Sequence, residues 1–160
     1  MNDYTIIIDS REKEHAHILQ ALKTHNISFK IQKLDVGDYA ISVNGDIHPV
    51  VIERKADVNE IIGNLLDKRR DEFGKTRFIR ELDRAKESGI KVILLIEDKD
   101  WYLRLLTGQY ISMVKPKSIT GMLISLQAKY SNLSIVGLEK EIVPSYIHKI
   151  LYYHARENLK

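Results

Sequence analysis

"GDYAISVNGDIHPVVIERKAD", residues 37–57, sets a Gly-Asp step, a polar turn and a Glu-Arg-Lys triplet in one short stretch. Asn44-Gly45 is a strong two-residue turn signal, so "DYAISV" and "IHPVVIERK" read as the arms of an antiparallel hairpin. Pro49 falls near the start of the second arm, where a missing N–H does little harm. That arm ends in charge: Glu53, Arg54 and Lys55 follow a β-branched run that belongs in a core. Charged groups in such a place are costly unless they are paired, solvated or bound to something. Extended backbone alternates its faces, so Glu53 and Lys55 point to one side and Arg54 to the other.

Working outward, "YTIIID" (4–9) reads as a short buried strand, and "SRE" after it can cap a helix that turns Ile18, Leu19 and Leu22 to the core. "ISFKIQKL" (27–34) alternates apolar and polar residues as a half-exposed strand does. Apolar residues recur at helical spacing over about 58–66 and again over about 76–86. "SGIKVILLIED" (88–98) is the clearest central strand, a helix breaker followed by a continuous apolar run. A short helix around 101–106 ends at Gly108. A longer helix follows Pro116, with Ile119, Met122, Leu123, Leu126 and Tyr130 as its apolar face. "LSIVGL" (133–138) is a last strand and "PSYIHKILYYHARENLK" (144–160) a closing helix. The order β-α-β-β-β-α-α-β-α-α-β-α, with parallel crossovers late and an antiparallel hairpin early, predicts an α/β fold. Its three-layer α/β/α form has a mixed central sheet between two helical layers, as one domain over residues 1–160.

Composition narrows the function classes. The 160 residues are 44% hydrophobic and 29% charged, as in a globular protein. With no cysteine, disulfides and thiolate zinc sites are excluded. No apolar run nears the roughly 20 residues of a membrane span, and "MNDYTIIIDSREKE" lacks the layout of a secretion signal; a soluble intracellular protein is expected. The net charge is +3, yet between Lys68 and Lys86 eight Lys or Arg stand against four acids. A basic stretch on a near-neutral body suits a polyanion-binding face, although a solvated helix laced with ion pairs has the same composition. The six histidines are scattered, and the eight glycines form no phosphate-cradling loop.

Three acids fall at predicted strand ends: Asp9, Asp38 and Glu53. Carboxylates converging from neighbouring strands make a hard oxygen cage of the kind Mg²⁺ or Mn²⁺ prefers. Lys55, on the face of Glu53, is placed to hold an attacking water or the charge of a transition state. Lys115 and Lys117 flank a helix start whose amides can hold a DNA phosphate, and Arg69 and Arg70 belong to the basic stretch.

These residues resemble a known family. "DSRE" (9–12), "VGDY" (36–39) and "VIERKADVNEIIGNL" (51–65) are similar to the XPF-type structure-selective endonuclease domain, which has a restriction-endonuclease-like fold. "RFIREL" (77–82), "VILLIE" (92–97) and "PKSITGMLISLQAKY" (116–130) resemble its later segments, so the likeness covers about residues 4–155. It implies a catalytic set of Asp38, Glu53, Arg54 and Lys55, with Asp38 and Glu53 on the metal, Asp9 supporting it and Lys55 on the water. By the same resemblance Arg54 clamps the site from behind or pairs with an acid, and Arg11 and Arg77 are phosphate contacts. The family's closing Asp is Asn59 here, read as a helix cap in its place. Family members pair through their nuclease domains, so a homodimer is expected, with Tyr146, Ile150 and Tyr153 of the closing helix available for it. Many members carry helix-hairpin-helix modules after the nuclease domain; with this sequence ending at Lys160, substrate targeting is expected from the nuclease surface, a dimer or a protein partner.

The resulting expectation is a metal-dependent DNA endonuclease acting on branched or junction DNA in repair or recombination. A four-way-junction resolvase is its near neighbour. A catalytically silent DNA-binding or scaffold module of the same fold is the alternative from another class.

Overall fold

The computed structural model describes residues 3–159. Its elements are β1 (Tyr4–Ile8), α1 (Ala16–Thr24), β2 (Phe29–Ile31), β3 (Tyr39–Val43), β4 (Asp46–Lys55), α2 (Val58–Leu65), α3 (Arg77–Glu87), β5 (Lys91–Ile96), α4 (Trp101–Thr107), α5 (Pro116–Lys129), β6 (Leu133–Gly137) and α6 (Val143–Asn158). The predicted element order is the observed one.

The six strands form one sheet in the order β2-β1-β3-β4-β5-β6. β1 runs antiparallel to β3 and β3 to β4, while β2 joins β1, β5 joins β4 and β6 joins β5 in parallel. Strand alternation sorts the core into two layers. On one face Ile7, Ala40, Val51, Val92, Leu94 and Ile96 pack under α2, α3, α4 and α5. On the other Ile6, Ile8, Tyr39, Ile41, Ile52, Ile93 and Leu95 pack under α1 and α6. The expected three-layer α/β/α architecture with a mixed sheet is therefore present. No helix of the described residues is long and apolar enough to cross a membrane.

Several local expectations change. "SRE" does not cap α1: Glu12 N donates to Asp9 O at 3.1 Å, closing a turn, and the helix starts only at Ala16. The strand expected over 27–34 shortens to Phe29–Ile31 because it lies at the sheet edge with β1 as its single neighbour. On α6, Tyr146 and Ile150 pack against the core and only Tyr153 stands half exposed, so less of that helix is spare than its composition implied.

Candidate active site

β4 is the strand that builds the site, and its pleat sets what each charge does. Val51, Glu53 and Lys55 face the α2/α3 layer; Ile52 and Arg54 face the α1/α6 layer. The two-residue spacing read from the sequence thus delivers Glu53 and Lys55 to one wall of a cavity of about 250 Å³ beneath α2 and α3. Lys55 Nζ donates to Glu53 Oε1 at 2.7 Å and lies 5.7 Å from the Phe78 ring centre. Burial works to lower the Lys55 pKa, but the charge and hydrogen bond of Glu53, with Asp38 beyond, outweigh it and hold the side chain as an ammonium.

Asp38 reaches the same cavity from the connection into β3, and Gly37 is what lets it. Gly37 has φ +77, and a Cβ there would come within 2.8 Å of Val51 Cβ and 3.2 Å of Ile52 O. The segment can therefore lie flat on β4 only without a side chain. Asp38 N then donates to Ile52 O at 2.8 Å, and Asp38 Oδ2 accepts from Arg54 N at 2.8 Å. Burial first, then the charge of Glu53, pushes the Asp38 carboxyl well above the ordinary range. Glu81 of α3 is raised too, by burial and by Glu53. Carboxylates that repel one another in a partly desolvated pocket fit a hard divalent cation, which would cancel the repulsion.

Asp9 lines the cavity but does not share that donor set. Its Oδ1 accepts from Arg11 N (2.7 Å) and Arg11 Nε (2.9 Å), and its Oδ2 from Arg11 Nη2 and Leu34 N, both at 2.8 Å. Burial raises the Asp9 pKa, but these bonds overcome that and leave the carboxyl lowered. Among the described residues no three acidic or histidine side chains form a group able to hold a metal ion. All three acids of the expected cage line the cavity; Asp38 and Glu53 act on each other by charge, while Asp9 is bonded to Arg11 and Leu34 N. Asp9 fixes Arg11, whose Nη2 also donates to Leu34 O at 2.7 Å.

Arg54, placed in the catalytic set by resemblance, does not line the cavity. Its Nε donates to Glu12 Oε2 at 3.1 Å and its Nη1 lies 3.5 Å from Glu97 Oε2, all three side chains buried behind the sheet. His17 Nε2 lies 2.9 Å from Glu97 Oε1 and closes the cluster. Of the two roles the resemblance left to Arg54, the structure has it paired with acids.

Among the expected phosphate contacts, Arg11, Arg69 and Arg77 line the cavity, while Arg70, Lys115 and Lys117 do not. Lys115 precedes α5, with no side-chain cap, and Lys117 is exposed on its first turn. Asn59 is not the cap of α2 either. Asp57 holds that place, accepting from Glu60 N at 3.1 Å, while Glu60 Oε2 accepts from Ala56 N. Asn59 Oδ1 accepts instead from Ile111 N at 2.9 Å and ties the α4–α5 connection to α2. The cavity also takes in Glu60, Asn64 and Glu81, which the sequence reading passed over. Glu81 carried a signal: it lies three residues after Phe78, beside the buried stripe of α3.

Comparison with known proteins follows the same lines. The model of the ERCC4 domain matches residues 8–142. XPF from Aeropyrum pernix superposes with a TM-score of 0.64 at 17% sequence identity, covering 92% of this chain and 65% of that one. XPF from Aeropyrum pernix in complex with DNA gives 0.63 at 16% identity, over 97% of this chain and 66% of that one. The chain thus spans just under two thirds of the length of those chains. No curated protein matches it. With the family model spanning both the Gly-Asp step and the Glu-Arg-Lys strand, the chain belongs to the ERCC4 domain family, the XPF-type nuclease domains.

Proposed function

We propose that this chain is a divalent-metal-dependent DNA endonuclease that hydrolyses phosphodiester bonds at branched or junction DNA. The observation that carries the reading is the Asp38–Glu53 pair, with Lys55 on the same wall, in a cavity rimmed by Arg11, Arg69 and Arg77. Asp38 and Glu53 would hold Mg²⁺ or Mn²⁺. Mg²⁺ takes one or two protein carboxylates and completes its shell with water and substrate phosphate, so two suffice. Such an ion lowers the pKa of a bound water and offsets charge on a phosphoryl oxygen. The protein side chains do the rest. Lys55, kept cationic, offers N–H donors and positive charge beside the scissile group, and the arginines bind flanking phosphates.

A homodimer belongs to this reading by family likeness, with light scattering as its check, and so does a role in DNA repair or recombination. The deciding experiment compares cleavage of labelled branched DNA with Mg²⁺ or Mn²⁺ by the wild type, Asp38→Ala and Glu53→Ala. Wild-type cutting reduced at least about a hundredfold in both variants is expected, the scale of losing one charge-stabilising group. Equal cutting by all three overturns the assignment. Binding with no metal-dependent cutting by any of them leaves a DNA-binding module.

A further inference from the structure

Between α2 and α3, beside the cavity, the chain displays an aromatic ring that phosphodiester hydrolysis has no use for. Phe73 is 76% exposed. The turn that carries it is tightly bonded: Asp71 Oδ1 accepts from Phe73 N at 3.0 Å and Lys75 N at 2.8 Å, and Gly74 N donates to Asp71 O at 3.0 Å. Gly74 has φ +72, a conformation other residues adopt with strain. Arg80 Nη1 donates to Lys75 O at 3.2 Å and pins the turn to α3. The ring is held outward by a fixed scaffold.

Cations outnumber acids around the ring, with Asp67, Asp71 and Glu72 standing among them. Lys68, Arg69 and Arg70 precede the turn and are exposed, and Arg77 follows it. Arg69 pairs with Asp67 yet remains 92% exposed at its side chain, and both Arg69 and Arg77 line the cavity. Phe73 is four residues from each, so its Cα lies within roughly 14 Å of theirs. A single ring among cations is not the continuous apolar patch of a protein interface. In a continuous duplex the ring could reach a base face only by wedging a step apart, at the cost of unstacking it. An unpaired base offers its face without that cost, and a cationic track with an aromatic platform is how proteins hold single strands.

We propose that Phe73 stacks on an unpaired base of a DNA strand whose phosphates are held by Arg69, Arg70 and Arg77. The loop thereby distinguishes a single-stranded arm from duplex. This rests on the nuclease reading for placing DNA at the cavity.

The test reads binding without cleavage. Fluorescence anisotropy in EDTA compares a labelled forked DNA with a blunt duplex of equal length, for wild type, Phe73→Ala, Phe73→Leu and Phe73→Trp. Because the ring is exposed, all four are expected to melt at the same temperature. Phe73→Ala and Phe73→Leu should weaken forked-DNA binding by roughly tenfold or more, the range measured for losing one base–aromatic stack. Duplex binding should change less than about twofold, and Phe73→Trp should bind like wild type. A 2-aminopurine in the unpaired arm should be quenched by wild type and Phe73→Trp only. Unchanged forked-DNA affinity in Phe73→Ala overturns the proposal, as does full retention by Phe73→Leu or an equal loss on duplex. These failures leave the Asp38→Ala cleavage result standing, so the two readings fall separately.

Discussion

Replacing Arg54 by alanine would leave Glu12 and Glu97 buried behind the sheet with their cation gone. Removing one partner of a buried ion cluster typically costs about 3–5 kcal/mol, because the remaining charges stay desolvated and unpaired. Urea denaturation of Arg54→Ala should show a loss of that order; a loss under about 1 kcal/mol would mean that water reaches the cluster. The direction of Arg54 was legible in the sequence, since a period of two sends it away from Glu53 and Lys55. Its partners were not. Glu12 and Glu97 lie more than forty positions away on either side, and only the pairing of β4 with β5 and the turn after β1 bring them in. The bonds of Asp9 were equally out of sight: a carboxylate at a strand end does not announce that Arg11 and Leu34 N–H will bond it.

At the level of elements, the Gly-Asp step and the end of β4 work as one piece. Gly37→Ala would force a left-handed residue and a Cβ within 2.8 Å of Val51. Strain of about 1–3 kcal/mol is expected, with displacement of Asp38 from its bond to Arg54 N. Thermal melts should register the first and metal-dependent cleavage the second; native stability in Gly37→Ala would show that the approach is looser than it looks. The hairpin was readable from Asn44-Gly45, both of which adopt positive φ. The bulge in it was not: the β3–β4 register shifts between Ala40 and Ser42, and no turn residue announces it. Helix starts split the same way. Thr76, read as the first residue of α3, is its cap and accepts from Ile79 N, whereas Asp57 takes the place at α2 that the sequence offers to Asn59. Asp57 stands just before the helix and bonds Glu60 N, while Asn59 lies inside it and bonds Ile111 N from another part of the chain.

For the whole molecule, charge is unevenly spread. The chain is only +3, but the stretch from Lys68 to Lys86 carries an excess of cations and adjoins the acidic cavity. Much of that excess is engaged internally, with Lys75 on Asp83, Arg69 on Asp67 and Arg80 near Asp71. DNA affinity should nevertheless fall with salt. If Arg11, Arg69, Arg70 and Arg77 neutralise about four phosphates, the plot of log K against log salt should slope at roughly −3 to −4. Titrations of duplex DNA at several salt concentrations measure it, and a flat line would remove the basic face from the account. The layered architecture was readable because hydrophobic period and strand order are global signals. The cavity was only half readable, because which acids meet depends on how α3 lies across the sheet.

The sheet's mixed topology also bears on how the chain matures at the ribosome. Domains fold as units rather than strand by strand, and β1, β3 and β4 are complete once residue 55 has been made. β5, the parallel neighbour that brings Glu97 to Arg54, is synthesised later. A chain halted in that interval would lack Glu97, one of the two acids that Arg54 pairs with in the complete fold. The hairpin that bears the Asp38–Glu53 pair thus remains provisional until the second half of the polypeptide arrives to neutralise it.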